Sequence, residues 1–363
     1  LKPCIQSVKS TAFTVPTDEP ESDGTLEWRE TTLVLVEVAA ADRLGIGYTY
    51  AAPAAAQLAN EKLAAVVAGC DAMDIPAATA AMRRVVRNLG TCGLCAMAIS
   101  AVNNALWDLK AKLLDLPLCK LLGQARDAMP IYGSGGFCSY SDERLRDQLA
   151  GWVREGIPRV KMKVSREPTR DFHRLRVARD AIGDAELFVD VNSAYDRKQA
   201  LQAIERFAAE YDVRWMEQPL APEDRAGMRL LCERAPAPLE IADGEYSYDV
   251  ADVRRLLETR SVDVVMADAT RCGGISGFLE ADALCAAWRM PLSSHCAPLQ
   301  HLHVGCAARM YRHGEYFHDH VRIERMFFDG MPEPKSGALH PDLARPGIGV
   351  EFKRADAARY EHH

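Results

Sequence analysis

The segment Arg159-Val160-Lys161-Met162-Lys163-Val164 alternates cationic and apolar side chains. That period of two is the signature of a strand, with residues i and i+2 on one face. Short apolar runs recur from Met129 onward, near Ile131, Leu187 to Val189, Arg214 to Met216, Leu239 to Ala242, Val262 to Ala267, Leu292 and Tyr316, and amphipathic helical stretches separate them. Polar residues stand at or just after the run ends. Lys163, Asp190, Glu217, Glu245, Asp268 and His295 follow one another in steps of 27, 27, 28, 23 and 27 residues. One strand, one helix and two loops fill such a step. Polar residues at one phase of a βα repeat all reach the carboxyl ends of parallel strands, and a closed α/β barrel gathers that rim into one site. An open doubly wound sheet would spread the same residues along a crevice and is the structural alternative. Eight roughly even units favour the barrel.

Residues 1–128 follow a different rhythm. Glu30 to Val38 reads as a strand, and Leu44 to Tyr50 as a strand returning antiparallel to it. Alanine-rich helical runs follow near Ala54 to Ala68 and Ala96 to Leu114, with Leu122-Gly123 as a helix stop. Strands followed by helices predict an α+β domain. The acidic, turn-rich stretch Thr17 to Gly24 reads as a mobile loop between two strands.

Composition narrows the function classes. With 48% hydrophobic and 26% charged residues among 363, the chain has an ordinary globular balance with room for two domains. A formal charge of −7 does not suggest nucleic acid as a partner. No apolar stretch is long enough to cross a bilayer, the amino terminus shows no signal-peptide pattern, and no membrane partner is expected. Eleven irregularly spaced cysteines argue against a disulfide framework and for a reducing cytoplasm. Cys92 and Cys95 form an isolated C-x-x-C, read as a core pair rather than half a zinc site. Glu361-His362-His363 reads as the remnant of an expression tag and is set aside.

Asp190, Glu217 and Glu245 on successive strand ends are costly together without a cation, and all-oxygen ligands suit Mg2+ better than zinc. By strand phase, Asp243 is an equally close third ligand. Lys163 is the candidate general base. It must lose about three units from its free value near 10.4, roughly 4 kcal/mol. A second ammonium on Lys161, about 6 Å away at an effective dielectric of 20, contributes about 2.8 kcal/mol. The cation and partial desolvation can supply the remainder. Lys161 is thus a pKa depressor and a contact for a substrate carboxylate. His295 holds the matching rim position on the seventh strand. Asp268 is its partner, fixing the tautomer, whereas His301, His303 and His313 read as helix or loop residues. Glu315 opens the last expected strand and, as a carboxylic acid, could donate a hydrogen bond to an enolate oxygen. His318 and His320 are its rivals. Asn192, Lys161, Tyr132 and His318 are the substrate-contact candidates, with Ser134 and Phe137 beside Tyr132. Thr17 to Trp28 and Tyr48 to Ala52 are expected to close over the site as a lid. Arg271-Cys272-Gly273-Gly274 is glycine-rich but matches no nucleotide-binding motif.

Taken in order, Lys161-Met162-Lys163, Asp190-Val191-Asn192, Met216-Glu217-Gln218-Pro219, Ala242-Asp243-Gly244-Glu245, Met266-Ala267-Asp268 with Gly273-Gly274, and Ser293-Ser294-His295 resemble the mandelate racemase subgroup of the enolase superfamily. The resemblance covers nearly the whole chain. It implies a modified (β/α)7β TIM barrel, residues 129–324, beneath an N-terminal α+β capping domain, residues 1–128, with residues from about 325 to 363 packing back on the cap. Such sites use a lysine or histidine base with magnesium. The subgroup's Gly-Glu element favours Glu245 over Asp243, whereas a muconate-lactonizing pattern would favour an aspartate. The shared step is removal of the proton α to a carboxylate. Dehydration of a sugar acid is the favoured outcome, with a racemase or epimerase and a non-catalytic sugar-acid-binding barrel as alternatives. Lys163 or His295 would be the base, and His295 the acid for hydroxyl departure. A homo-oligomer is expected because most barrels of this kind are oligomers.

Overall fold

The computed structural model describes residues 3–362, so Leu1 and Lys2 of the amino terminus and His363 of the tag-like end lie outside it. The chain opens with a three-stranded antiparallel sheet, β1 (Ile5–Ser22), β2 (Glu27–Ala40) and β3 (Arg43–Tyr50). The stretch expected as a mobile loop is instead the end of β1. Its strand pairing with β2 is interrupted between Pro16 and Glu21, because proline lacks an N–H to donate, and resumes at Glu21 and Ser22. The hairpin turn that follows is held by Asp23, whose carboxylate accepts the backbone N–H groups of Thr25 and Leu26.

The 20-residue helix Leu94–Leu113 lies directly on β3. Two glycines permit this closeness. A Cβ on Gly47 would stand 2.3 Å from the backbone nitrogen of Ala105, and one on Gly45 2.3 Å from its carbonyl oxygen. Gly123 does not end this long helix, which stops ten residues earlier. It caps a separate short helix, Leu118–Leu122, in the left-handed conformation that suits glycine. Cys95 is buried in the long helix, but Cys92 is exposed on the turn before it, so only half of the C-x-x-C pair is a core residue.

Eight parallel strands then close on themselves: β4 (Met129–Gly135), β5 (Arg159–Lys163), β6 (Glu186–Asp190), β7 (Val213–Glu217), β8 (Glu240–Asp243), β9 (Val264–Ala267), β10 (Leu292–Ser294) and β11 (Tyr311–Phe317). Pairing of β11 with β4 completes the barrel and rules out the open sheet. Nearly every strand residue is buried, as expected when helices cover the outside and side chains fill the inside. The βα loops hand over to helices through side-chain caps at Ser141, Asp196, Asp224 and Asp249. At Asp196 the box is reciprocal with Gln199.

The last strand lies earlier than its apolar pattern suggests. It begins at Tyr311, so Glu315 is near its end rather than its start, and the helix His318–Phe327 follows at once. The chain end returns to the cap. Phe13 of β1 packs against Phe327 and Phe352, with ring centroids 5.6 and 5.4 Å apart, and the His362 N–H donates to the carbonyl of Ala12. Asp108, fully buried on the long helix, accepts the N–H of Ile46 through one oxygen and that of Ile348 through the other.

Candidate active site

Register places the first site residues side by side. Lys163 of β5 pairs with Asp190 of β6, which pairs with Glu217 of β7. In a parallel sheet, residues in register point to the same side, so all three enter the barrel mouth. Beneath them a floor of Tyr132, Phe188, Trp215, Ala242, Val264 and Met266 fills the barrel. This floor keeps water out from below and lowers the dielectric around the charges.

The two lysines are not a free, mutually repelling pair. Lys161 Nζ lies 2.8 and 2.7 Å from the oxygens of Glu217, 2.7 Å from Glu315 Oε1 and 3.5 Å from Asp190 Oδ2. Lys163 Nζ lies 2.5 Å from Asp190 Oδ2. Burial disfavours the Lys163 ammonium and Lys161 adds to that. The carboxylates of Asp190, Glu315 and Glu217 together outweigh both, and Lys163 sits above the ordinary lysine value. Lys161 does depress Lys163 as expected, but the surrounding carboxylates reverse the net shift while the ammonium is engaged by Asp190. Glu217 is pushed well up by burial and by Asp190 beside it. Lys161 is also wholly enclosed, with its ammonium on Glu217 and Glu315 and not among the side chains that line the cavity.

His295 follows β10. Its Nδ1 lies 2.8 Å from Asp268 Oδ2, the expected pairing. Its Nε2 lies 3.0 Å from Glu245 Oε2 and 3.2 Å from Cys296 Sγ. Burial works against the imidazolium. Cys296, Glu245 and Asp268 outweigh it and raise the histidine well above its usual value, while Glu245 and Asp268 are held below the carboxylate range. Asp243, the rival third ligand, is turned away to Arg225 at 3.0 Å, and Glu245 faces the cavity.

Glu315 is not placed as a protonated donor. It accepts from Ser134 Oγ at 2.6 Å, from Lys161 and from the Cys296 N–H at 2.8 Å. Burial opposes its charge, and Lys161, His295 and Lys163 overcome it, so the carboxyl is held well below its usual value. Tyr132 lies in the floor with its ring 5.4 Å from Lys161 Nζ, and its hydroxyl has no hydrogen-bond partner. The floor position removes it from the substrate-contact set.

Of the two rival histidines, His318, the substrate-contact candidate, faces away from the cavity and His320 faces it. A strand through Glu315-His320 would put both on one face, but the helix begins at His318, and residues two apart on a helix point about 200° apart. His318 turns outward to Asp18 Oδ2 at 3.0 Å, and His320 turns into the cavity, stacked on Tyr50.

The cavity that results is about 370 Å3. Lys163, Asn192, Glu245, His295, Cys296 and His320 line its barrel side, and Asp23, Trp28, Thr32, Tyr50 and Ala52 line its cap side. Residues of both segments expected as a lid line this side of the cavity. Asn192, held in a left-handed turn at φ 49°, brings a buried side-chain oxygen without a partner to this wall. Sequence reading missed Cys296, Arg271 and the inward turn of His320. Arg271 lies 3.5 Å from Asp268 and 3.6 Å from Glu245. Its position after β9 was a usable signal, but the glycines beside it drew attention to the turn instead.

Asp190 and Glu217 end successive strands and Glu245 follows the next. Together they are a buried, all-oxygen set of the chemistry that a hard divalent cation requires, though their oxygens are not gathered within 4.8 Å of one another here. The neighbouring cationic side chains already screen each of these carboxylates. In chemistry the residues fit such an ion, and Lys161 and Lys163 now occupy the oxygens of Glu217 and Asp190.

Two family models match the chain: the mandelate racemase / muconate lactonizing enzyme N-terminal domain over residues 9–123 and the enolase C-terminal domain-like family over residues 144–357. L-talarate/galactarate dehydratase of Salmonella typhimurium LT2 is 32% identical over 316 residues, covering 84% of this chain and 79% of the relative. A crystal structure of a mandelate racemase/muconate lactonizing enzyme-like protein from Rubrobacter xylanophilus is 49% identical, with a TM-score of 0.97 over 99% of this chain and all of that one. A racemase from Streptomyces coelicolor A3(2) with bound magnesium is 26% identical, with a TM-score of 0.92 over 99% of this chain and all of that one.

Proposed function

Because the chain belongs to the mandelate racemase / muconate lactonizing enzyme family, we propose that it removes the proton α to a carboxylate and then expels a β-hydroxyl, dehydrating a sugar acid to a 2-keto-3-deoxy acid. One observation carries this reading. Lys163, on the second barrel strand, and the His295–Asp268 pair, on the seventh and sixth, approach one cavity from different sides of an eight-membered ring.

We assign Asp190, Glu217 and Glu245 as the residues that would hold magnesium. When bound, that ion supplies positive charge where the enediolate develops. Lys163 or His295 takes the α-proton; Lys163 can do so only as the neutral amine, which requires Asp190 to be engaged by the cation instead of by the ammonium. Asp268 keeps His295 in the tautomer that presents Nε2 to the cavity. On the dehydration path His295 gives a proton to the departing hydroxyl, water leaves, and the enol formed tautomerises to the ketone. Lys161 binds Glu217 and Glu315 and holds their charges in place. Asn192 and His320 are the polar groups that would orient the substrate.

The dehydratase similarity favours elimination. The second reading, reprotonation from the opposite face to give a racemase, is supported by the Streptomyces neighbour and uses the same two groups. A screen of mono- and diacid sugars with magnesium, reading 2-keto-3-deoxy products, decides between them when run beside NMR in deuterium oxide, which reads α-proton exchange. If no acid in a broad library is dehydrated or exchanged, the proposal fails.

The wider reading places the domain boundary near residue 128, with residues from about 325 to 363 serving the cap, which the contacts of Phe13 with Phe327 and Phe352 support. It takes the barrel as (β/α)7β, because the helix after β11 reaches cap residues through Tyr48 and Tyr50. It includes a homo-oligomer and a reducing cytoplasm, which suits eleven cysteines that are all free; among the described residues, no helix is long and apolar enough to cross a membrane.

A further inference from the structure

Cys296 follows the candidate proton-transfer histidine directly, and the two side chains reach the same cavity. Adjacent residues of an extended chain point to opposite sides. Here the backbone kinks through left-handed conformations at Cys296 (φ 49°) and Ala297 (φ 39°), which non-glycine residues rarely adopt. The kink turns the thiol back beside the imidazole and over Glu315. Three donor atoms result. His295 Nε2 and Cys296 Sγ are 3.2 Å apart, Cys296 Sγ and Glu315 Oε2 3.4 Å, and His295 Nε2 and Glu315 Oε2 4.0 Å. All three residues are buried.

We propose that His295, Cys296 and Glu315 form a second, zinc-type metal site, distinct from the carboxylate trio, and that its occupation blocks the reaction. Zn–S near 2.3 Å and Zn–N or Zn–O near 2.0–2.2 Å at tetrahedral angles separate donor atoms by roughly 3.3–3.6 Å. The two sulfur separations are already near this, and the 4.0 Å between His295 Nε2 and Glu315 Oε2 must close by about half an ångström on binding. A thiolate beside an imidazole selects zinc or another borderline ion over magnesium. Glu315 is already oriented for this, since Ser134 and Lys161 hold Oε1 and leave Oε2 toward the thiol. Ligation expels the Sγ proton and any proton on Nε2 to solvent, and the open fourth position faces the cavity. An ion on Nε2 occupies the lone pair that His295 needs to move a proton. The blocking effect rests on the proposed α-proton chemistry, whereas the site itself does not.

The test adds cobalt(II), a spectroscopic stand-in for zinc, to the full-length protein saturated with magnesium. One equivalent is expected to produce a near-ultraviolet thiolate-to-cobalt charge-transfer band, which the carboxylate trio cannot give. The band is expected to vanish in Cys296→Ala, with zinc affinity falling about 100-fold or more, beyond what loss of an outer-shell partner causes. Cys296→Ser, which keeps the side-chain shape, checks by near-UV circular dichroism that loss of the band is not loss of the fold. Absence of the band in the unmodified protein, or its survival in Cys296→Ala, overturns the site. If the band forms as described but no acid is ever turned over, the proposed function fails and the metal site stands. Zinc inhibition that is unchanged in Cys296→Ala overturns the blocking role.

Discussion

At the scale of single residues, the site depends on a few charges placed to within an ångström. Lys163→Ala and His295→Asn are each expected to lower dehydration by about 10^2–10^4, the range for losing a positioned acid or base. One of the two should keep α-proton exchange on substrates of the opposite α-configuration. Steady-state turnover beside deuterium exchange by NMR reads both effects, and full turnover by both variants would remove these residues from the mechanism. A second residue-scale effect concerns stability. His303 is fully enclosed, accepts the Cys119 N–H at Nδ1 and reaches the Ile348 carbonyl through Nε2, and burial holds it near 4. The unfolded chain, with a histidine near 6.5, binds the proton more readily. Its contribution is therefore complete above pH 6.5 and is lost as pH falls toward 4, on the order of 3 kcal/mol. Urea unfolding at pH 6.5 and 4.5 is expected to show this slope as the difference between the parent and His303→Gln.

Elements meet at equally specific points. The barrel helix Gly274–Trp288 starts at a glycine, which offers no side-chain cap. The cap domain supplies one. Asn104 accepts the Ile275 N–H and donates to the Ala269 carbonyl, Asn103 accepts the Ser276 N–H, and Ser100 accepts the Gly273 N–H. Asn104→Ala leaves two buried backbone groups unpaired, at roughly 2–4 kcal/mol from the usual cost of orphaned groups. A thermal melt would record it, and an unchanged melting temperature would show that the contact carries no weight. Gly47→Ala pushes a methyl into the backbone of the helix Leu94–Leu113 and is expected to cost about 1–3 kcal/mol or more, as overpacking does. At this scale the expected elements appear where periodicity is strong, as for Lys161 to Lys163. They shift where it is weak. The last strand starts and ends earlier than its pattern predicts, since the apolar pattern continues from Tyr316 through Phe317 into a helix whose first turn carries His318 and His320. Periodicity alone does not mark such a strand-to-helix boundary.

At the scale of the whole molecule, cap and barrel are joined by buried polar links as well as by apolar packing. Tyr48 of the cap donates to Glu324 Oε1 at 2.5 Å, and Leu299 N donates to its other oxygen. Burial pushes Glu324 up to about 8. Its folded value lies above the unfolded one near 4.3, so its contribution is full below that value and is lost as pH rises through 8. Glu324→Gln keeps a neutral group there and is expected to remove this alkaline loss, which denaturation at pH 6 and 9 would read. A variant that loses stability between these pH values as steeply as the parent would exclude Glu324 as the cause. Between the unfolded carboxylate value and the unfolded histidine value the Glu324 and His303 slopes have opposite signs and offset one another, so each is read as the difference between the parent and its own variant.

The sequence by itself determined the barrel, the separate cap and the ring of Lys163, Asp190, Glu217, Glu245, Asp268 and His295, because strand alternation and a repeat of nearly constant length are local properties that survive folding. Only the tertiary structure decided how those charges answer one another. Lys161 became the hub of three carboxylates rather than a bare repelling charge, Glu315 became an acceptor, Glu245 rather than Asp243 met the cavity, and His320 replaced His318 in it. Those outcomes depend on distances between strands far apart in the chain and on left-handed turns at ordinary residues such as Asn192 and Cys296, and neither leaves a mark in the order of the residues.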